Sequence, residues 1–189
     1  DEAHFSEKRV ENVEDCFPFR DTDTVTWINI DGLGNTEVIE RIGKHYHIHP
    51  LILEDILNTG QRPKFEDLET YLYVNLTMLQ LAGPEKNIKG EHVSLIIGHN
   101  FLLSFQEDVG DVFDPVRDRI RKEGRIRKFG PDYLAYALID DIVDNYFLVI
   151  EHLEEQVETL EEELVTNATP SSLHKINNLK KSMIFLRKS

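Results

Sequence analysis

Three groups of side chains in this sequence have the types and spacing to do chemistry. Glu54 and Asp55 stand side by side, with Asn58 close behind. On a helix over 50–57 they fall opposite the apolar set Ile52, Leu53, Ile56 and Leu57. Two carboxylates and an amide offer the hard oxygen donors that suit Mg²⁺ or Ca²⁺. The same pattern also describes an exposed acidic helix edge, and both readings stand open at this point. Asp140, Asp141 and Asp144 form the second group. Asp140 and Asp144 share a helix face, where like charges repel by roughly a few tenths of a kcal/mol. A bound divalent cation would reverse that sign, and a solvated charged face is the alternative. His45, His47 and His49 are the third group. They invite zinc, yet the run straddles a helix end and brings no Cys or placed carboxylate, so roles at a helix terminus or on the surface compete with metal binding.

Other chemistries find no support. The single cysteine, Cys16, excludes an internal disulfide and a Cys-based zinc site, and it fits a reducing compartment. Nothing frames Cys16 as an activated nucleophile. There is no Gly-rich phosphate loop, no G-x-S-x-G and no H-E-x-x-H, so catalysis has no positive motif and the chain reads as a non-enzyme. The 189 residues carry 21 Lys and Arg against 35 Asp and Glu, a net charge of −14. That balance argues against nucleic acid and anionic lipid, and in favour of metal cations or basic partner surfaces. No apolar run approaches the ~18–20 residues that span a bilayer. No leader is visible, and the chain starts without Met, so it is expected to be a piece of a longer protein.

The elements that must position these groups change character near residue 130, which suggests an α/β part over 1–130 and a helical part over 131–189. In the first, 24–30 reads as a strand ending at the Asp31-Gly32 turn signal, 36–46 as a helix, and 50–57 as a second helix with Pro50 in its first turn. Strands are expected over 71–81, 91–97 and 101–106, the last two joined as a hairpin through 98–100. A helix is expected over 111–122, with Val112, Phe113, Val116 and Ile120 inward. Interleaved strands and helices argue an α/β fold with a mixed sheet. In the second part, 132–165 contains neither Gly nor Pro. Leu138, Ile142, Tyr146, Val149, Leu153, Val157, Leu160 and Leu164 recur at steps of three and four, a coiled-coil-like seam. Such a helix is roughly 50 Å long, against a body about 36 Å across, so it must project or run along a partner. Residues 167–170 break it, and 171–189 starts a second helix with Leu173, Ile176, Met183 and Leu186 inward. The first helix carries seven acids over 151–163 and the second five bases over 173–188. An antiparallel hairpin would let them pair across the seam.

Four runs then carry a family resemblance: TWINIDG (26–32), HPLILEDILNTGQRPKFE (49–66), FQEDVGDVFDPVRDRI (105–120) and DYLAYALIDDIVDNYF (132–147). Together they resemble the cytoplasmic N-terminal domain of the CorA magnesium transporters over nearly the whole chain. The resemblance implies an α/β/α sandwich followed by a long antiparallel helical hairpin. It also implies a homopentameric channel for Mg²⁺, often Co²⁺, in an inner or plasma membrane, with divalent-cation sensor sites between subunits. The family's stalk helix, membrane spans and Gly-Met-Asn pore motif are not in this sequence. Carried over by position, Asp55 resembles the first-site sensor aspartate, whose counterpart lies on a neighbouring subunit's stalk. Glu54 and Asp140 resemble carboxylates of a second site. Asp141 and Asp144 are neighbours of that match. Mg²⁺ is the expected ion, with Co²⁺ or Ca²⁺ able to take its place. The alternative is a cytoplasmic assembly scaffold of a related Zn²⁺-transporting member with no sensor site of its own.

Overall fold

The structure, a computed structural model, describes residues 3–84, 86–122, 125–167 and 169–189. Among the described residues ten α-helices and β-strands follow in order: β1 (Thr26–Asp31), α1 (Thr36–His45), α2 (Pro50–Leu57), β2 (Lys64–Asp67), β3 (Leu72–Ala82), β4 (Asn87–Ile97), β5 (Phe101–Gln106), α3 (Asp114–Arg121), α4 (Pro131–Asn167) and α5 (Pro170–Lys188). The five strands form one sheet in the order β1-β5-β4-β3-β2. β1 runs parallel to β5, and every other neighbouring pair is antiparallel. The mixed sheet expected from the sequence is therefore present. The 98–100 hairpin closes with Gly98 N–H donating to Phe101 O at 2.9 Å.

Strand alternation sorts the core into two layers. Tyr73, Ile96, Leu103 and Phe105 point to one face and pack with Ile39, Ile42, Ile52 and Ile56 from α1 and α2. Val93, Leu95, Ile97 and Leu102 point to the other and pack with Phe113, Val116, Leu134, Leu138 and Ile142 from α3 and α4. The result is an α/β/α sandwich. The first part of α4 belongs to its core, and the helix then continues. At 37 residues α4 is about 55 Å long. Val149 and Leu153 lead it past Leu79, where Leu179 and Leu186 of α5 join them.

Several elements differ from expectation, each for a local reason. β2 was not foreseen. KFED is short and charged, and it is a strand only because β3 offers it an edge. β4 starts at Asn87 rather than Glu91, because it extends its pairing along β3 from Leu72↔Ile97 to Ala82↔Asn87. α3 begins at Asp114 rather than Asp111: the Asp111 carboxylate accepts Phe113 N–H at 2.9 Å and holds the chain in a turn ahead of the helix. The seam of α4 is buried at Leu138, Ile142, Val149, Leu153 and Leu160, but Leu164 is exposed. The stripe expected on α5 is corrected most. Leu173, Ile176 and Met183 are exposed; Leu186 turns inward as expected, joined by Leu179, which was not. The helix answers to β3 and β4 as well as to α4. A Cβ on Gly90 would lie 2.2 Å from Phe185 Cζ, so the bare backbone there lets the Phe185 ring lie against β4 without shifting. The expected charge zipper across the hairpin is represented among the described residues by Glu163, which pairs with Lys175 and accepts Ser172 Oγ–H at 2.9 Å.

Candidate functional site

α2 has eight residues, too few to hold itself together in water. Pro50 opens it, and His49 caps it by accepting Leu51 N–H on Nδ1 at 3.2 Å. Ile52 and Ile56, at 2 % and 0 % exposure, pin it to the sheet. This orientation leaves Glu54 exposed and Asp55 half-buried at the margin, as the helical spacing anticipated.

Asp55 does not stand free. Its Oδ1 accepts Gln61 Nε2–H at 2.5 Å and its Oδ2 accepts Lys64 Nζ–H at 2.5 Å. Lys64 also donates to Glu66 Oε1 at 2.8 Å and lies 5.4 Å from the Tyr73 ring centroid. Burial pushes the Asp55 carboxyl up, but the hydrogen bonds from Lys64 and Gln61 and the ammonium charge outweigh it and hold the group below its ordinary range. The two neighbouring carboxylates raise Lys64 in turn, chiefly through the Asp55 bond. Sequence reasoning missed both Gln61 and Lys64, although the 49–66 run contains them. The signal lies in β2, whose alternation puts Lys64 and Glu66 on the α2 face through the pairs Lys64↔Asn75 and Glu66↔Tyr73.

Beneath Lys64 a buried polar chain braces the site. Tyr73 Oη meets Ser94 Oγ at 3.2 Å, and Ser94 Oγ meets His92 Nε2 at 3.1 Å. The backbone N–H of His92 donates to Glu107 Oε1 at 2.8 Å. Burial lowers the His92 pKa, against the opposing charges of Glu107 and Asp55. A histidine depressed in the folded state stays neutral there, so its contribution is present above the unfolded value of 6.5 and is lost as pH falls below it. Stability is therefore expected to fall as pH drops from 7 towards 5, and His92→Gln should flatten that limb in a series of thermal melts. An equally steep limb in the variant would assign it to other groups.

The second acidic group splits. Asp140 and Asp144 are exposed on α4. Asp141 is turned in against α3, 7 % exposed, with Arg119 Nη2 at 3.7 Å and Oδ2 lacking a hydrogen-bond partner. Burial raises its pKa, and the charges of Asp144 and Asp140 add to the rise. α2 covers one face of the sheet and α4 the other, so Glu54 and Asp55 are separated by the sheet from Asp140. Among the described residues no three His, Cys, Asp or Glu side chains come together to hold a metal ion. By donor type the acids fit a hard cation. By geometry one copy offers one or two ligands at each place, the number Mg²⁺ usually takes when it keeps several waters.

The three histidines do not converge either. His45 stacks on Phe17 at 4.0 Å and meets Phe17 O through Nε2 at 3.0 Å. His47 occupies a left-handed turn with φ of 55°, and His49 is the α2 cap. Cys16 is buried, and its carbonyl accepts Tyr46 Oη–H at 3.0 Å.

A five-stranded mixed sheet between two helical layers, with a long helical hairpin leaving one of them, is the architecture of a known group of solved structures. The soluble domain of CorA from Methanocaldococcus jannaschii superposes with a TM-score of 0.71 at 21% identity, over 86% of this chain and 64% of that one. The ZntB cytoplasmic domain from Vibrio parahaemolyticus does so at 0.66 and 17% identity, over 86% and 63%. At those identities the likeness is one of fold. Sequence comparison goes further: residues 22–189 match the family described as CorA-like Mg²⁺ transporter protein. The chain belongs to that family. A cobalt/magnesium transport protein CorA from Thermotoga maritima is 45% identical over 186 residues, covering 98% of this chain and 53% of that protein. A putative metal ion transporter from Bacillus subtilis, YfjQ, is 24% identical over 86% of this chain and 50% of its own length. The chain thus spans about half the length of these curated relatives. Among the described residues no helix is long and apolar enough to cross a membrane.

Proposed function

We propose that these residues form the cytoplasmic regulatory domain of a Mg²⁺/Co²⁺ transporter that works as a homopentamer and reads divalent cations at carboxylate sites shared between copies. Family membership and the name of the Thermotoga maritima relative support the transport role. The observation that carries the sensing role is the separation of the acids. Asp55 and Glu54 lie on one face of the sheet and Asp140 on the other. Each place presents an oxygen donor or two, which alone hold a hydrated Mg²⁺ weakly, and a carboxylate from a second copy would strengthen the hold. Such a site is weak and depends on subunit approach, as a concentration sensor requires. The arrangement in which carboxylates of two copies lie close is stabilised by the ion it shares. Without the ion the same carboxylates repel. A charge of −14 per copy makes that repulsion substantial. Membrane contact falls to other parts of the whole protein.

The test is Asp55→Ala in the full-length transporter. Mg²⁺ inhibition of flux should weaken, with the inhibitory midpoint rising by about tenfold or more, the loss of one charge-assisted ligand. Unchanged inhibition removes Asp55 from the sensor and favours the scaffold reading. In the assembled protein, MgCl₂ should tighten subunit association more than NaCl at equal ionic strength.

A further inference from the structure

We propose that Lys64 is a tethered counter-ion that competes with a divalent cation for the Asp55 carboxylate and thereby sets the cation concentration at which that carboxylate is taken by metal. The proposal rests on the reading of Asp55 as a sensor ligand and adds the intrachain group that regulates it. The geometry is specific. Both Asp55 oxygens already have partners at 2.5 Å, Gln61 on Oδ1 and Lys64 on Oδ2. Gln61 is neutral and yields easily. Lys64 brings a full positive charge to the lone pairs a metal would use. An ammonium at hydrogen-bond distance repels a divalent ion at the same carboxylate and already neutralises the charge that ion would use, so each weakens the other's hold.

Lys64 is poised for this role from three sides. Its backbone is set by the β2–β3 register, Lys64↔Asn75. Its ammonium lies over Tyr73, whose own hydroxyl is held by Ser94. Its second carboxylate partner, Glu66, sits at 2.8 Å. Glu66 gives the ammonium somewhere to remain when Asp55 is claimed by metal. Lys64 then changes partner without being expelled into water, and the exchange is reversible at modest cost. A carboxylate available only part of the time binds with an apparent affinity reduced by that fraction. Lys64 therefore moves the response to higher cation concentration, and a site that would otherwise be filled throughout keeps a usable range.

The experiment titrates MgCl₂ into the full-length protein and reads protection from limited proteolysis, a binding readout independent of flux. Circular dichroism checks that each variant is folded. Lys64→Met and Lys64→Gln keep most of the stem over Tyr73 and remove the charge. Both should lower the protecting MgCl₂ midpoint, by about tenfold for release of one charge-assisted bond. Lys64→Arg, which keeps the charge, should lower the midpoint less than either neutral variant, since a counter-ion remains even though its geometry differs. Unchanged midpoints in both neutral variants, with protection lost in Asp55→Ala, overturn the competition and leave the sensor reading standing. An unchanged midpoint in Asp55→Ala itself overturns the sensor reading, and the proposal falls with it.

Discussion

Replacing Arg117 by alanine should cost about 3–5 kcal/mol of folding stability, the cost of stranding a buried charge. The stranded group is Asp111, whose side chain is only 3% exposed beside an Arg117 at 22%. Arg117 grips it with both arms of the guanidinium, Nη1 to Oδ1 at 2.6 Å and Nη2 to Oδ2 at 2.5 Å. Burial alone would lift the Asp111 carboxyl. Arg117 and the Phe113 N–H together hold it below its ordinary range instead. The guanidinium also lies 5.2 Å from the Trp27 ring centroid, which ties the start of α3 to β1. The sign with pH follows. In the parent the depressed Asp111 contributes stability above its unfolded value of 3.8, lost as pH falls through the lower folded value. In Arg117→Ala the unpaired carboxyl can escape its cost by taking a proton. The deficit measured by urea unfolding should therefore be largest near neutral pH and shrink towards pH 4. Adding Asp111→Asn to the variant should recover part of the loss, because the penalty is an orphaned charge and not the missing attraction alone. A deficit below about 1 kcal/mol at pH 7 would mean that Asp111 is rescued by water and that the pair is an ordinary surface bridge.

Ile56→Ala is the second large effect, about 2–5 kcal/mol for a fully enclosed isoleucine. Ile56 is 0 % exposed and packs with Ile39, Ile42, Tyr73 and Phe105 in the layer beneath α2. The consequence is more than a cavity. α2 depends on two isoleucines for its place, and Asp55 is the residue next to one of them. Loosening the helix should uncouple Asp55 from Lys64, whose own strand, β2, stays attached to β3. Urea unfolding measures the stability loss, and the MgCl₂ protection midpoint should shift in the same variant. Leu57→Ala is the natural control, since Leu57 is 36 % exposed on the same helix. Equal losses in the two variants would show that Ile56 does not anchor α2.

Much of this architecture was legible in the sequence because its signals are local. The β-branched runs, the Gly-His-Asn hairpin, the Pro50 helix start and the uninterrupted 132–165 stretch each announce themselves within a few residues. The apolar spacing of α2 was enough to put Glu54 and Asp55 on its outer side. β2 was not legible, since a charged tetrapeptide has no strand pattern of its own and takes its conformation from the edge of β3. The inner face of α5 was legible only at Leu186, for the same reason: its phase is set by Gly90, Leu79 and Ile88, which lie about a hundred residues away in the chain.

The candidate site divides along the same line. The sequence by itself determined which carboxylates are available, that Asp55 belongs to a short amphipathic helix, and that the family is that of the CorA-like Mg²⁺ transporters. The first two are properties of residue type and short-range spacing, and the third rests on likeness to known members of the family. Only the tertiary structure decided that Asp55 already carries a cation of its own. The sheet register brings Lys64 under α2, and packing on opposite sheet faces keeps Asp140 away from Asp55. Contact between residues on different elements depends on where the chain returns, and helical or strand periodicity contains no information about that.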